Sequence, residues 1–306
     1  FGVPPERAHA RIEPDGRLTI FTAQHPHGQG HETTLAQVGA DELGVPLEHV
    51  RVVHGDTRDS PFSMLGTSGS RAATRGTGAT LYAVRDVKRQ VLDIASALLE
   101  IAPADLEIAG GTVRAKGVPG RELSLAEVAK AAYMGGPQLP SHHGAGALEG
   151  GGSFTEQPGG WSSATHCCIA EVDRDTGLVR LRRYVVVHDC GAIIHPAIVE
   201  GQIRGGVAQG IGGTLLEESA YDEDGYFLAG TLMDYLLPTA TDVPPIEIVH
   251  LESAPVADID FRGVGEGGAI GAPLAITNAV ADAIGVELTE LPLTPTRILQ
   301  ALGAIA

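Results

Sequence analysis

The stretch Gly263-Val264-Gly265-Glu266-Gly267-Gly268-Ala269-Ile270-Gly271-Ala272-Pro273 places one ionisable side chain inside a run of glycines that then opens a helix. Glycine lets main-chain N–H groups come close to a ligand, and the N-terminus of a following helix favours anions. The segment therefore reads as a cradle for an anionic cofactor. Non-polar neighbours would desolvate the lone carboxylate and raise its pKa towards working pH, which makes Glu266 the candidate general base. A plain strand-to-helix turn with a surface Glu is the bland alternative.

The loop-into-helix pattern recurs. Gly28-Gln29-Gly30-His31-Glu32 precedes a helix expected over 33–43, and Gly66-Thr67-Ser68-Gly69-Ser70-Arg71-Ala72-Ala73 enters an Ala-rich helix expected over 72–99. Glu200-Gly201-Gln202-Ile203-Arg204-Gly205-Gly206 lies near the start of a Gly-rich helix expected over 199–216. Several helix N-termini converging on one ligand would suit a large, multiply charged cofactor bearing a pyrophosphate, held by main-chain N–H groups rather than by Lys or Arg. Gln29 and Gln202 add amides that both donate and accept, matching the edge of a heterocycle. Taken singly, each loop also suits an ordinary helix cap.

The elements that must position these loops follow from apolar spacing. Residues 10–12 and 18–21 alternate as strands about the turn Pro14-Asp15-Gly16, and 50–53 makes another strand. A helix over 124–133 carries Ser124 and Glu127 in capping-box spacing. Residues 165–172 and 179–187 flank Asp175-Thr176-Gly177 as a hairpin, 246–251 is a strand, and 274–284 is a helix stopped by Gly285. Strands and helices mix without a regular βαβ rhythm, so the expected class is α+β. Residues 1–134 are expected to form a first cofactor-binding lobe, 135–160 a Gly/Pro-rich linker, and 161–306 a second lobe carrying the Glu266 loop.

Composition excludes several functions. The 306 residues are 43% hydrophobic, and 21 Lys+Arg against 38 Asp+Glu give a formal charge of -17, which opposes nucleic acid and anionic membrane surfaces. No apolar run reaches the ~18 residues of a membrane span, and Phe1-Gly2-Val3-Pro4-Pro5 lacks the regions of a signal peptide, so a cytoplasmic location is expected. Three cysteines, Cys167, Cys168 and Cys190, cannot supply the four thiolates of an iron–sulfur cluster, which places any such cluster on another chain. Cys167 and Cys168 are adjacent in a strand and point to opposite faces.

Other residues tempt less. His25, His27 and His31 fit no zinc spacing and fall across a turn, and His27 would simply shape its loop. His188-Asp189 and His195 read as satisfied residues just past a strand's end rather than as a catalytic dyad. Gly263, Gly265 and Gly268 also match the dinucleotide fingerprint G-x-G-x-x-G. A nicotinamide-dependent dehydrogenase would need a βαβ unit with an acidic residue after its second strand, for which little chain follows Gly268.

Six segments taken in order carry more weight: His27-Gly28-Gln29-Gly30-His31-Glu32-Thr33-Thr34, Asp41-Glu42-Leu43-Gly44-Val45-Pro46, Val53-His54-Gly55-Asp56-Thr57, Gly69-Ser70-Arg71-Ala72, Val199-Glu200-Gly201-Gln202 and Gly263-Val264-Gly265-Glu266. Together they resemble the molybdenum-binding subunit of the xanthine dehydrogenase and aerobic carbon monoxide dehydrogenase family, the molybdenum hydroxylases, over its C-terminal portion only. The resemblance implies a molybdopterin-binding fold in which Glu266 takes a proton from a metal-bound hydroxyl while the substrate is oxidised. It implies that the main chain at Ala73 faces the metal, that Ser70, Arg71 and Ala72 line the same loop, and that Gln29 and Gln202 contact the pterin. Gly28, Gly30, Gly265 and Gly267 complete the expected cofactor loops. No side chain need ligate molybdenum. The implied cofactor is molybdopterin, in bacteria often as the cytosine dinucleotide. The implied partners are the N-terminal half of the subunit, a [2Fe–2S] subunit and an FAD subunit. The implied substrate is a small aldehyde, an N-heterocycle or a related molecule. A non-catalytic cofactor-holding or assembly subunit is the second alternative.

Overall fold

In the computed structural model, which describes residues 4–140, 143, 146–155, 161–255 and 259–305, the chain forms two compact units. One comprises the residues up to 160 together with 256–261, and the other comprises 161–255 and 262–306.

The first unit runs β1 (Glu6–Ile12), β2 (Leu18–Thr22), α1 (His31–Leu43), β3 (Val50–Val53), α2 (Thr77–Leu99), β4 (Leu106–Ala109), β5 (Thr112–Ala115), β6 (Glu122–Ser124), α3 (Leu125–Met134) and β7 (Glu149–Phe154). Its main sheet has the order β3-β2-β1-β7, with β2 and β3 parallel and the other pairs antiparallel. Ala8, Ala10 and Ile12 alternate inwards from β1 and meet Leu18, Ile20, Leu43 and Ile94 in the core. The strands β4, β5 and β6 form a separate antiparallel sheet. Helix α3 begins at the expected capping box, with the Ser124 hydroxyl accepting from Glu127 N–H at 3.2 Å and the Glu127 carboxylate accepting from Ser124 N–H at 2.8 Å.

The stretch expected as a linker is in part a strand of this sheet. β7 pairs with β1, with Gly150 opposite Ala10 and Gly152 opposite Ala8. Its glycines serve close packing: a Cβ at Gly152 would lie 2.0 Å from the Ala79 carbonyl oxygen, and one at Gly150 2.5 Å from that of Ala83. Composition alone reads such glycines as loop.

The second unit contains β8 (Ser163–Val172), β9 (Val179–Asp189), α4 (Pro196–Leu215), β10 (Ile246–His250), α5 (Gly267–Ile284) and α6 (Pro295–Ala301). β8 and β9 form the expected antiparallel hairpin, with an irregularity at Ile169/Ala170, and β10 joins β9 in parallel. Tyr184, Ile203, Ile211, Ile276 and Leu293 fill the core. Helices α4 and α5 meet through small residues. A Cβ at Gly268 would lie 2.4 Å from the Ile203 carbonyl oxygen, and one at Gly206 2.8 Å from Ala269 N. Helix α5 does reach the length and mean hydropathy of a candidate membrane span, 18 residues at 1.2, contrary to the expectation that no run would. It carries Asn278 and Asp282, and it packs on β8 and α4. The mixture of sheet orders and flanking helices makes the fold α+β.

Candidate cofactor loops and general base

The first loop sits ahead of α1. Gly28 has φ +105 and Gly30 is left-handed at φ 74, ψ 30, directly before the right-handed turns of α1. That change of hand folds successive N–H groups into a concave anion site, and the first-turn N–H groups of a helix have no intrahelical acceptor. No side chain caps α1, and a Cβ at Gly28 would meet nothing within 4 Å, so the concavity is open. Gln29 is half-buried and braces this loop: its Oε1 accepts from His27 N–H, and its Nε2 lies 3.4 Å from His27 Nδ1.

An ordered polar chain that spacing did not reveal stands beside the loop. His54 Nε2 lies 2.5 Å from Glu32 Oε1, and His54 Nδ1 lies 3.2 Å from His25 Nδ1. With His54 neutral and its Nε2–H donated to Glu32, its Nδ1 is the acceptor and His25 the donor; with His54 charged the direction reverses. Both Glu32 and His54 fall inside quoted motifs, and only tertiary contact pairs them. His31 is buried, with Nδ1 3.2 Å from the Gln24 carbonyl oxygen, and burial pushes its pKa down. Among the described residues no three His, Cys, Asp or Glu side chains are arranged to hold a metal ion.

The second loop carries more backbone strain. Gly69 is left-handed at φ 68, Ser70 follows at φ 59, and Arg71 returns to φ -76. Left-handed φ in a non-glycine residue is uncommon and persists where its surroundings enforce it, often at functional sites. Here the enforcement is a buried ion pair: Arg71, 5% exposed, lies 3.0 Å from Glu6, 1% exposed, and Ser63 Oγ donates to the same carboxylate at 3.1 Å. Arg71 and Arg75 also donate to the Pro4 carbonyl oxygen at 3.3 and 3.0 Å. The Arg71 side chain thus anchors the loop from behind, and what the loop presents is main chain. The expected helix over 72–99 opens as a π-helical turn, Ala72–Gly76, before α2 proper. Such turns take main-chain groups out of the regular ladder. Ala72 and Ala73 lie half-buried at its start. Behind it Gln24 is fully buried with neither amide atom hydrogen-bonded among the described residues.

In the second unit Glu266 is the N-cap residue of α5, and its side chain does not cap the helix. It is exposed, as is Gly265. The expected burial among apolar neighbours is therefore not supplied by this unit, because glycines are too small to cover a carboxylate. Gly268 and Gly271 serve packing rather than a ligand: Gly268 lies against Ile203, and a Cβ at Gly271 would lie 2.5 Å from His166 Cδ2. Gly267 is half-buried above His188.

Gln202 is half-buried in the second turn of α4. The helix starts at Pro196, not near 199, so residues 200–206 form no helix N-terminus and offer no cradle of main-chain N–H groups. The N-cap is His195, whose Nδ1 accepts from Ile198 N–H at 3.4 Å. His188 is not past a strand's end but inside β9, and neither of its ring nitrogens has a partner among the described residues. Asp189 pairs with buried Arg262 at 2.8 Å, which ties down the chain just ahead of the glycine motif. Burial pushes its carboxyl up, but bonds from Gly191 N–H and Ser253, together with Arg262, prevail and hold it below the ordinary range. The thiols of Cys168 and Cys190 are pushed up to about 11 by burial, and Cys167 is exposed. Among the described residues no strand follows α5, so the dinucleotide fingerprint lacks the second strand of a βαβ unit.

Positive-φ glycines, strained Ser70 and uncapped helix starts fit an anionic organic group gripped by main-chain amides. Relatives agree. The family model described as "Molybdopterin cofactor-binding domain" matches residues 2–244, stopping short of the Glu266 loop. The chain is 38% identical over 98% of its length to the nicotine 6-hydroxylase large subunit of Paenarthrobacter nicotinovorans, covering 37% of that protein. It is 34% identical over 91% of its length to the carbon monoxide dehydrogenase large chain of Afipia carboxidovorans, covering 34% of it. The structure of quinoline 2-oxidoreductase from Pseudomonas putida 86 superposes with a TM-score of 0.88 at 40% identity, over 98% of this chain and 38% of that one. The chain thus spans little more than a third of these relatives' length, and it belongs to the molybdopterin cofactor-binding domain family.

Proposed function

We propose that this chain is the molybdopterin-binding C-terminal portion of the molybdenum subunit of a molybdenum hydroxylase. The observation that carries the reading is the pair of open, positive-φ loops at Gly28–Gly30 and Gly69–Arg71, in a chain of the molybdopterin cofactor-binding domain family. Gly28, Gln29, Gly30, Ser70, Arg71, Ala72 and Ala73 in the first unit, and Gln202, Gly265 and Gly267 in the second, hold the cofactor. Main-chain N–H groups do most of the holding, and Gln29 and Gln202 address the heterocycle. Arg71 contributes by fixing its loop through Glu6. When bound, the cofactor supplies a two-electron acceptor for oxidation by water-derived oxygen. The Glu266 carboxylate accepts the proton that the water-derived nucleophile loses, a role an amide cannot take.

Substrates of the class named by the relatives, N-heterocycles and carbon monoxide, together with small aldehydes, are the range proposed here. The cytosine dinucleotide form of the pterin, a companion N-terminal half, a [2Fe–2S] subunit and an FAD subunit complete the proposed complex. Unpaired Cys167, Cys168 and Cys190 support a reducing, cytoplasmic setting.

Glu266→Gln in the assembled complex is expected to leave molybdenum and pterin content unchanged while lowering turnover by about two to four orders of magnitude. Retained turnover would overturn the assignment. Loss of turnover with the pterin intact would also exclude a purely cofactor-holding role.

A further inference from the structure

Three strands each place an imidazole on one face of the sheet, and two of these rings lie against the first turns of α5. The register sets His250 of β10 opposite His188 of β9, and His166 of β8 opposite Val186, so His166 lies diagonal to His188. His188 is 1% exposed. Among the described residues neither of its ring nitrogens is hydrogen-bonded, nor are those of His250, nor Nε2 of His166. His166 Nδ1 lies 2.9 Å from Tyr184 Oη.

The helix meets these rings with glycines four residues apart, hence on one face. A Cβ at Gly267 would lie 3.3 Å from His188 Nε2, and one at Gly271 2.5 Å from His166 Cδ2. Two glycines of the motif are thus explained by the rings they admit. Apolar side chains would fill this space without orphaned nitrogens, which are costly in an interior.

We infer that His188 is a positioning residue for Glu266: its neutral ring is the seat on which Gly267 rests, with His166 under Gly271 one turn further on, and charging His188 unseats the first turn of α5. Glu266's catalytic use rests on the function proposed above, whereas the seat itself does not. The helix N-terminus carries partial positive charge and repels an imidazolium. Burial pushes both rings below the ordinary imidazole range; the Gly267 main chain partly offsets the shift at His166, while His250 lowers His188 further. Asp189 opposes this, but it is paired with Arg262. Burial pushes Cys168 and Tyr184, the other titratable groups on this face, upward, so both are neutral. Glu266 itself, at the helix start, is the remaining nearby charge.

The test is amide hydrogen exchange on the full chain between about pH 7.5 and about pH 5.5, spanning the ordinary imidazole pKa of about 6.5, after correction for intrinsic rates. Residues 269 and 270, whose N–H groups donate to the Glu266 carbonyl oxygen at 3.0 and 3.1 Å, are expected to lose protection on acidification, by up to about tenfold per pH unit for each proton taken up on opening. His188→Phe is expected to keep them protected at the acid end, and His188→Leu serves the same purpose should the first variant not fold. Protection of 269 and 270 that ignores pH in the unaltered chain, or an unchanged pH dependence in the folded variants, overturns the inference. A Glu266→Gln complex that still turns over would overturn the catalytic role alone and leave the exchange result standing.

Discussion

Arg71 and Glu266 show how charged residues of glycine-rich loops serve different ends. A guanidinium in an anion-binding loop suggests direct contact with phosphate, yet burial against Glu6 turns Arg71 into the anchor that holds Ser70 in a left-handed conformation. Glu266, by contrast, is exposed at the start of α5 and does not cap it. The three cysteines differ just as sharply. Cys168 and Cys190, with thiols pushed up to about 11, are expected to resist alkylation at neutral pH, whereas exposed Cys167 is expected to react. Mass spectrometry of the native chain after brief iodoacetamide treatment should find one modified thiol; rapid modification of Cys190 would show that the core at the end of β9 opens readily. The opposed faces of Cys167 and Cys168 were legible from strand alternation. The Glu32–His54–His25 chain was not, because its members lie on α1, after β3 and ahead of α1, and only folding joins them.

Glycine carries the argument at the level of elements, and its position decides its meaning. In β7 it admits α2, and between α4 and α5 it admits a neighbouring backbone. Gly201, inside α4, faces open space. Gly268→Ala and Gly206→Ala should therefore each destabilise the chain by about 1–3 kcal/mol through overpacking. Gly201→Ala should be neutral or stabilise by up to about 1 kcal/mol through helix propensity. Urea midpoints compare the three, and equal effects would contradict the packing described. The expected linker over 135–160 holds strand β7 at 149–154, and the expected cradle at 200–206 lies inside α4, for one reason. Glycine content reports that the backbone can approach something, not what it approaches.

For the molecule as a whole, buried histidines set the acid side of stability. His31, His166 and His188 all have pKa values lowered chiefly by burial. The unfolded chain therefore binds more protons than the folded one once pH drops below the ordinary imidazole value of about 6.5, and stability declines from there downwards. Melting temperature is expected to fall between neutral and mildly acidic pH, with His188→Phe flattening the slope; a melting temperature flat over that range would contradict the burial of these rings as neutral groups. The formal charge of -17 repels phosphate at long range, so an anion bound to this chain needs local donors such as main-chain amides.

By itself the amino-acid sequence determined the α+β class, most helices and strands, the glycine loops with the single acid at 266, and the family resemblance, because these reside in local periodicity, capping chemistry and motif order. The tertiary structure alone decided that Arg71 turns inward, that β7 belongs to the first sheet, and that the His188 imidazole lies under Gly267, next to Glu266. Such outcomes depend on which distant surfaces come within a few ångströms of one another, and burial and pairing across long sequence separations leave no periodic trace in the chain.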